Sequence, residues 1–483
     1  MSRLKCSIAY HSRGLENRIQ AVVSGLRFAL LFAGRCLGPA IFMAATGVFP
    51  LQWALCLHAA ETRLPDDRPQ LNREELKANG FLIFESRHLI LVTDVPLADV
   101  KDLPALADAM FDELQRQLGS LAPDVAGKQF QVTGYLIDAP ERFEKAGLLP
   151  AESFSFRHGR NLGYQFWMNN QTSPYYRRHL LLHEFVHCFM MCEHGMRDIP
   201  PLWYTEGIAE VFATHALEAD IAKSRFGILP PSVNEFEGWG RITNIQRALR
   251  SPETAGADAP ENWSLDNLLH PASNSFHTDL QYAQAWALVW LLRNHPELKN
   301  DRQALSSVRT ENDFRVAKRA IDSEKWQSLE RVWPLFLDNL VEGFDAERSL
   351  PELRLTDKPA ALSQTKPVTL SIAADKGWQP AGLTLKTGQI VTLECSGRYA
   401  VDDDPKPWIA EPNGITIDYH RGRPLGEIMA MMVPEDSRSA PRRIPVGTGC
   451  QLTATEDSTL WLQINDSAAS RKGNSGSAEI RIR

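Results

Sequence analysis

What this sequence lacks narrows it first. No block of lysines and arginines stands out that could neutralise a row of phosphates, and the formal charge of −7 is spread along the 483 residues. Nucleic acid is therefore not an expected partner. Cysteine is scarce, seven in all, too few for a scaffold built on disulfides. Internal repeats and low-complexity tracts are missing too, which excludes a solenoid or a propeller. Charge itself is missing from Cys36 to Ala60, where no Asp, Glu, Lys or Arg occurs, whereas residues 1–35 carry Arg3, Lys5, Arg13, Arg18, Arg27 and Arg35 against Glu16 alone.

A basic head, an apolar run and small residues at Ala59-Ala60 read as an export signal. The same run is long enough to cross a bilayer, for which about 20 apolar residues suffice, so residues 36–60 are alternatively an uncleaved membrane anchor. Residues 1–60 are expected to be one or the other, with the remainder secreted, periplasmic or anchored on the outer side of the membrane. That remainder is too long for one ordinary core, and a chain with 43% apolar and 23% charged residues is globular.

Residues 71–120 read as a charged helix (NREELKAN), a strand (RHLILVTDV) and a long amphipathic helix from about Leu97 to Leu118. Strands follow at FQVTGYLID (130–138) and GYQFWMNN (163–170); the second is either an edge strand able to pair with an extended peptide or an ordinary core strand. From Tyr175 to about Gly343 the pattern is mainly helical, and Pro296 ends the apolar helix YAQAWALVWLLRNH. Residues 348–367 have prolines and no periodicity, as a linker does. Residues 368–483 carry short alternating segments broken by Gly, Asn and Pro, the signature of a β-sandwich. The fold class expected is α+β: an α/β part leading into a mainly helical part over 71–347, followed by an all-β sandwich. Cys188 and Cys192 read as packing residues; Cys395 and Cys450 either pair or remain two buried thiols.

The stretch HEFVH carries the chemistry. On a helix, His183 and His187 lie four apart on one face and can offer two imidazole nitrogens to one ion, while Glu184 projects about 100° away. Glu184 can then deprotonate water without ligating. Catalytic zinc takes three protein ligands and leaves a place for water. The third is expected from Glu206, separated from His187 by eighteen intervening residues and carried on a second helix that begins after Pro200-Pro201. Glu210, one turn further, suits an acceptor for the outer N–H of a ligand imidazole. His194 is a rival third ligand, but Met190 and Glu193 stand where the metzincin pattern wants Gly and His. Tyr282, with His277 behind it, is the candidate donor to a transition-state oxyanion.

HEFVH with PPLWYTEGIAE resembles the gluzincin branch of the HExxH metallopeptidases, and in particular the peptidase MA-like family of exported bacterial proteins. That resemblance implies a zinc-dependent peptidase acting on a peptide or protein substrate, with His183, His187 and Glu206 as zinc ligands, Glu184 as general base and acid, and Glu210 behind the ligands. The Gly-Ala-Met-Glu-Asn exopeptidase segment of the aminopeptidases is absent. The C-terminal run with LQINDSAASRKGNSGSAEIRI resembles the small calcium-dependent galactose-binding lectins of bacteria. By that likeness Asp466, Ser470 and Asn474 would hold calcium and the module would take glycans, although Gly473 replaces the first of the family's paired asparagines and removes one oxygen. Asp402-Asp403-Asp404 reads as a solvated loop. The alternative function is a catalytically inert surface protein that captures glycans through this module.

Overall fold

Runs rich in β-branched and aromatic residues form the first sheet. The computed structural model describes residues 62–150, 158–193, 195, 198–250, 263–271, 276–301, 308–321, 323–353, 367–436 and 439–483. The expected export or anchor segment and His194 lie outside the described residues. The sheet contains β1 (Leu82–Glu85), β2 (Leu89–Thr93), β3 (Val132–Ile137), β4 (Gly159–Leu162) and β5 (Gln165–Asn169), in the order β1-β2-β3-β5-β4. The three central strands are parallel, and β1 and β4 run antiparallel on the two edges. Of the two readings left open for 163–170, the structure selects the core strand: β5 lies between β3 and β4, and among the described residues β4 is the edge strand on that side. Alternation sends Tyr135 and Trp167 to one face, where their rings stack at 5.3 Å, and Leu136, Phe166 and Met168 to the other.

That second face is covered by helices. The expected helix from Leu97 to Leu118 is two pieces, Leu97–Val100 and α1 (Leu103–Leu118), with Pro104 in the first turn of α1. Proline lacks the N–H that would continue an existing helix and suits the start of a new one. Beyond the sheet come α2 (Pro174–Met191), α3 (Leu202–Ala213), α4 (Arg241–Arg250), α5 (Asp279–Asn294), α6 (Glu311–Ala320) and α7 (Ser323–Asn339). A Thr278–Gln281 capping box starts α5, and its last residue precedes His295-Pro296. Among the described residues no helix is long and apolar enough to cross a membrane.

The C-terminal module has two sheets: β10-β9-β16-β8-β14, with β6 also on β16, and β11-β12-β15-β7, with β13 also on β12. In chain order these are β6 (Val368–Ala373), β7 (Gln379–Leu385), β8 (Ile390–Ser396), β9 (Tyr399–Ala400), β10 (Ile409–Ala410), β11 (Asn413–His420), β12 (Arg423–Pro434), β13 (Arg442–Pro445), β14 (Gly449–Thr453), β15 (Ser458–Ile464) and β16 (Ser475–Ile482). Cys395 and Cys450 are free thiols on β8 and β14, where Cys450 faces Leu393 and Cys395 is two residues along. The whole architecture is α+β, with the strand-rich region at the C-terminus.

β12 is buried on both faces. Ile428, Ala430 and Met432 point between the two sheets, while Met429, Met431 and Val433 join Trp378 and Trp461 in the core of the helical part. Within this seam the carboxylate of Asp338 on α7 accepts from Trp378 Nε1 at 3.0 Å, from Arg421 Nη1 at 2.5 Å and from Arg443 Nη1 at 3.4 Å. Arg471, fully buried, donates to Ser349 Oγ at 2.7 Å. Of the expected linker, residues 354–366 lie outside the described residues; its start is packed rather than loose, with Ser349 and Leu353 buried.

An apolar sheet face sealed against helices, with a buried carboxylate crossing the seam, ties the unfolding of the two parts together. Thermal unfolding of the protein, followed by calorimetry, should give one cooperative transition spanning both parts. Two transitions more than roughly 10 °C apart would show the seam to be weak.

Candidate metal centre

α2 begins with Ser173, whose side chain accepts from Tyr176 N at 3.2 Å, and with Pro174 at its first position. From Leu180 to Met191 every side chain is buried, because the sheet covers one side and α3 covers another. Helix α3 is drawn close to α5 by Gly207: a Cβ there would lie 2.5 Å from Ala285 O and 2.6 Å from Val289 Cγ2. That approach fixes the height at which Glu206, the preceding residue, meets α2.

The three side chains expected as metal ligands converge. His183 Nε2 and His187 Nε2 are 3.0 Å apart, and Glu206 Oε2 lies 3.3 Å from the first and 3.4 Å from the second. Atoms bound about 2.0–2.1 Å from a tetrahedral zinc ion lie about 3.3–3.4 Å from one another, so this triangle has the size of one face of such a site. The atoms are also of the right chemistry. Two imidazole nitrogens facing each other beside a carboxylate oxygen are three electron pairs pointed at one spot, an arrangement that repels itself unless a cation or proton lies among them. Burial works against ionising Glu206, yet His187 and then His183 hold its carboxyl down at about 2.

A second cluster, His179, His183 and Glu210, is also close enough to hold an ion, and charge separates the two. Glu210 already accepts from Arg241, at 2.8 Å from Nη2 and 3.1 Å from Nε, and from His179 Nε2 at 3.2 Å. Its carboxyl lies well below the usual range because Arg241, helped by His179, outweighs the cost of burial. A metal ion there would sit against a guanidinium. Glu206 has no guanidinium or ammonium partner among the described residues, so the first cluster is the one that calls for a cation. Glu210 Oε1 stands 3.5 Å from His183 Nδ1, on the side of the ring away from the triangle. An ionised carboxylate in that place favours the tautomer that keeps the Nδ1 proton and turns the Nε2 lone pair toward the ion.

Glu184 is buried beside this triangle, against β4. A Cβ at Gly159 would overlap Glu184 Oε1, so glycine at the first position of the edge strand admits the carboxyl. Burial is the largest influence on Glu184, His187 opposes it, Glu206 adds to it, and the carboxyl is pushed up to about 8. Tyr282, half-buried on α5, lies within the field of Glu206, Glu210 and Glu184, with Arg241 over its ring at 5.6 Å. His277 is exposed.

The residues matched to a calcium loop are only partly gathered. Asn474 Nδ2 donates to Asp466 Oδ2 at 2.8 Å, and both residues are buried. Ser470 is exposed, and among the described residues no hydrogen bond joins its hydroxyl to either. The acidic run is the solvated loop expected, with Asp403 and Asp404 exposed, and it borders this site: a Cβ at Gly473 would meet Asp403 Oδ1 at 3.0 Å and Asp402 Oδ1 at 3.2 Å.

Sequence reasoning missed His179, Arg241 and Gly159. His179 carried a signal, since it lies four residues before His183 on the same face. Arg241 is 31 residues beyond Glu210, and nothing local connects them.

No family model matches this chain, and no curated protein matches it. Among solved structures, one described as EclA N-terminal domain, PllA-like lectin, is similar at 19% identity, covering 24% of this chain and 92% of that one with a TM-score of 0.20. Another, the periplasmic g-type lysozyme inhibitor PliG of Aeromonas hydrophila, is similar at 12% identity, covering 28% and 94% with a TM-score of 0.14.

Two outcomes follow from this geometry. Gly207→Ala should push α3 away from α5, cost about 1–3 kcal/mol of stability and weaken zinc binding, measured by competition with a chromophoric chelator; unchanged affinity would mean that the contact does not set the position of Glu206. The second concerns pH. Between about 4.5, the ordinary carboxyl value, and 8 the folded metal-free chain holds a proton on Glu184 that the unfolded chain has released. Stability is therefore lost as pH rises through that window. Glu206 has the opposite shift, and its effect is confined to about 2 to 4.5. Denaturant titrations of metal-free parent and Glu184→Gln at pH 5 and 7.5 should show the variant gaining on the parent at the higher pH, and a constant difference would show that Glu184 is already ionised.

Proposed function

We propose that this chain is an exported zinc-dependent peptidase of the gluzincin kind, in which His183, His187 and Glu206 hold zinc and Glu184 is the general base. The observation that carries the reading is the triangle of two imidazole nitrogens and one carboxylate oxygen, sized for a tetrahedral ion and with no guanidinium or ammonium partner for its carboxylate among the described residues. The side chains fit the ion by distance, by donor type and by charge.

When bound, zinc lowers the pKa of water toward about 7 and polarises a carbonyl oxygen. The chain's own groups do the rest. Glu210, held by Arg241 and His179, keeps the proton of His183 on Nδ1. Glu184 accepts a proton from the attacking water on its carboxylate and returns it to the leaving amide nitrogen. Its place beside Gly159 brings the proton carrier against the edge strand β4, where an extended substrate backbone can add as a further strand. Burial of the His183 and His187 rings keeps bulk water from the ligand nitrogens.

Purified protein should contain about one zinc per chain and cleave an unfolded protein substrate, with cleavage lost on chelation and restored by zinc. Glu184→Gln should keep the zinc and lose turnover by at least about 10³-fold, the scale of positioned proton transfer. Parent protein that holds zinc and cleaves nothing would overturn the peptidase reading in favour of an inert surface protein, and protein that refuses zinc would remove the metal centre itself.

A further inference from the structure

A cavity of about 660 Å³ opens at the seam between the helical part and the C-terminal module, within the 300–1,000 Å³ range of small-molecule sites. Its walls differ in character. Leu249 at the end of α4, Trp263, and Met429 and Met431 on β12 give apolar surface, while Arg421, Arg423 and Arg443 line the cavity together with Asp338. Asp338 is shared between Arg421 and Arg443, and Arg423 is held by Glu427 through its Nε at 2.6 Å.

These arginines also act on their neighbours. His420, which precedes Arg421, is pulled down to about 3 by burial and then by Arg421, Arg443 and Arg471, with Asp338 opposing. Arg471 is lowered to about 10, first by burial, and Arg421 and Arg443 act in the same direction against Asp466 and Asp338. Arg421 also adopts a left-handed backbone, φ 52°, alone among the described non-glycine residues. With Gly422 at φ 72° it forms the two-residue turn of the β11–β12 hairpin, for which positive φ at both positions is ordinary, and the turn carries the guanidinium across the seam to α7.

We propose that this cavity binds an amphipathic organic anion: a carboxylate or another singly charged oxyanion head set among Arg421, Arg423 and Arg443, on an apolar body of about the size of a phenylalkyl group lying against Leu249, Trp263 and Met431. Guanidinium forks match oxyanion geometry, and the methionines offer an adaptable apolar surface. The occupant would touch α4, whose first residue, Arg241, holds Glu210. The inference does not rest on the peptidase reading, since neither zinc nor turnover enters it.

Isothermal titration of the full chain with 4-phenylbutanoate tests it, alongside the neutral 4-phenylbutanamide and the bare head group acetate. The carboxylate should bind saturably at one site with a dissociation constant no weaker than about 1 mM, and the amide and acetate at least tenfold more weakly. Arg443→Gln should weaken binding tenfold or more. Because that variant also removes a partner of Asp338, Leu249→Trp provides an independent check: it fills the cavity from the surface of α4 without touching a charge, and should weaken binding to a similar extent. Absence of saturable binding by 4-phenylbutanoate, equal binding by the amide, or parent-like binding in Leu249→Trp would overturn the proposal.

Discussion

Two carboxylates one helical turn apart, Glu210 fully buried and Glu206 half-buried, receive opposite compensation, and the rest of the site depends on that difference. A carboxylate removed from water must find positive charge or donors nearby, or it takes up a proton. Glu210 finds a guanidinium and an imidazole N–H. Among the described residues Glu206 finds the inward nitrogens of His183 and His187 and no guanidinium or ammonium group. Were those rings protonated they would repel each other at 3.0 Å; were they neutral, the carboxylate would face lone pairs. One divalent cation would relieve both problems, and in the proposed centre Glu206 would hold it while Glu210 stands behind His183, although the two share a helix face.

The packing around them serves the same end. Gly207 gives up a side chain so that α3 can approach α5, and Gly159 gives up one so that β4 can lie against Glu184. Neither glycine has a left-handed backbone, so close approach rather than conformational freedom explains them. Burial costs Glu184 its ordinary acidity, and a carboxyl near 8 in the metal-free chain is a group on the verge of proton exchange at neutral pH. A nearby cation would draw it down from there, toward the base form that proton abstraction requires.

The parts legible in the sequence are those whose signal is local. The histidine spacing, the Pro-Pro break before α3, the capping and proline end of α5, and the alternating segments of the C-terminal module all follow from neighbours in the chain. What could not be read depends on pairing across the fold. β5 reads as a strand, but only its partners decide that it is interior and that the short GRNL segment of β4 is the edge. Arg241 belongs to Glu210 by tertiary packing alone. The run EIMAMMVP in β12 did carry a message: an apolar stretch without alternation is a strand covered on both faces, and the second cover is the helical part.

That second cover changes what the C-terminal module can be. The loop from Asp466 to Asn474, likened by sequence to a ligand loop, has its middle turned toward its own chain: Ala468 O accepts from Asp345 N at 2.9 Å, and Arg471 reaches Ser349 Oγ, Gln463 Oε1 at 3.1 Å and its own loop at Asp466 O at 3.0 Å. Although Ala469, Ser470 and Lys472 are exposed, the fully buried Arg471 guanidinium anchors the loop from both sides of the seam, and separating the two parts would strip its donors of an acceptor. The loop's shape is therefore set by docking as much as by the sandwich that carries it. The outer surface that a free sandwich of this kind would present to solvent is, along β12 and this loop, committed to holding the helical part in place.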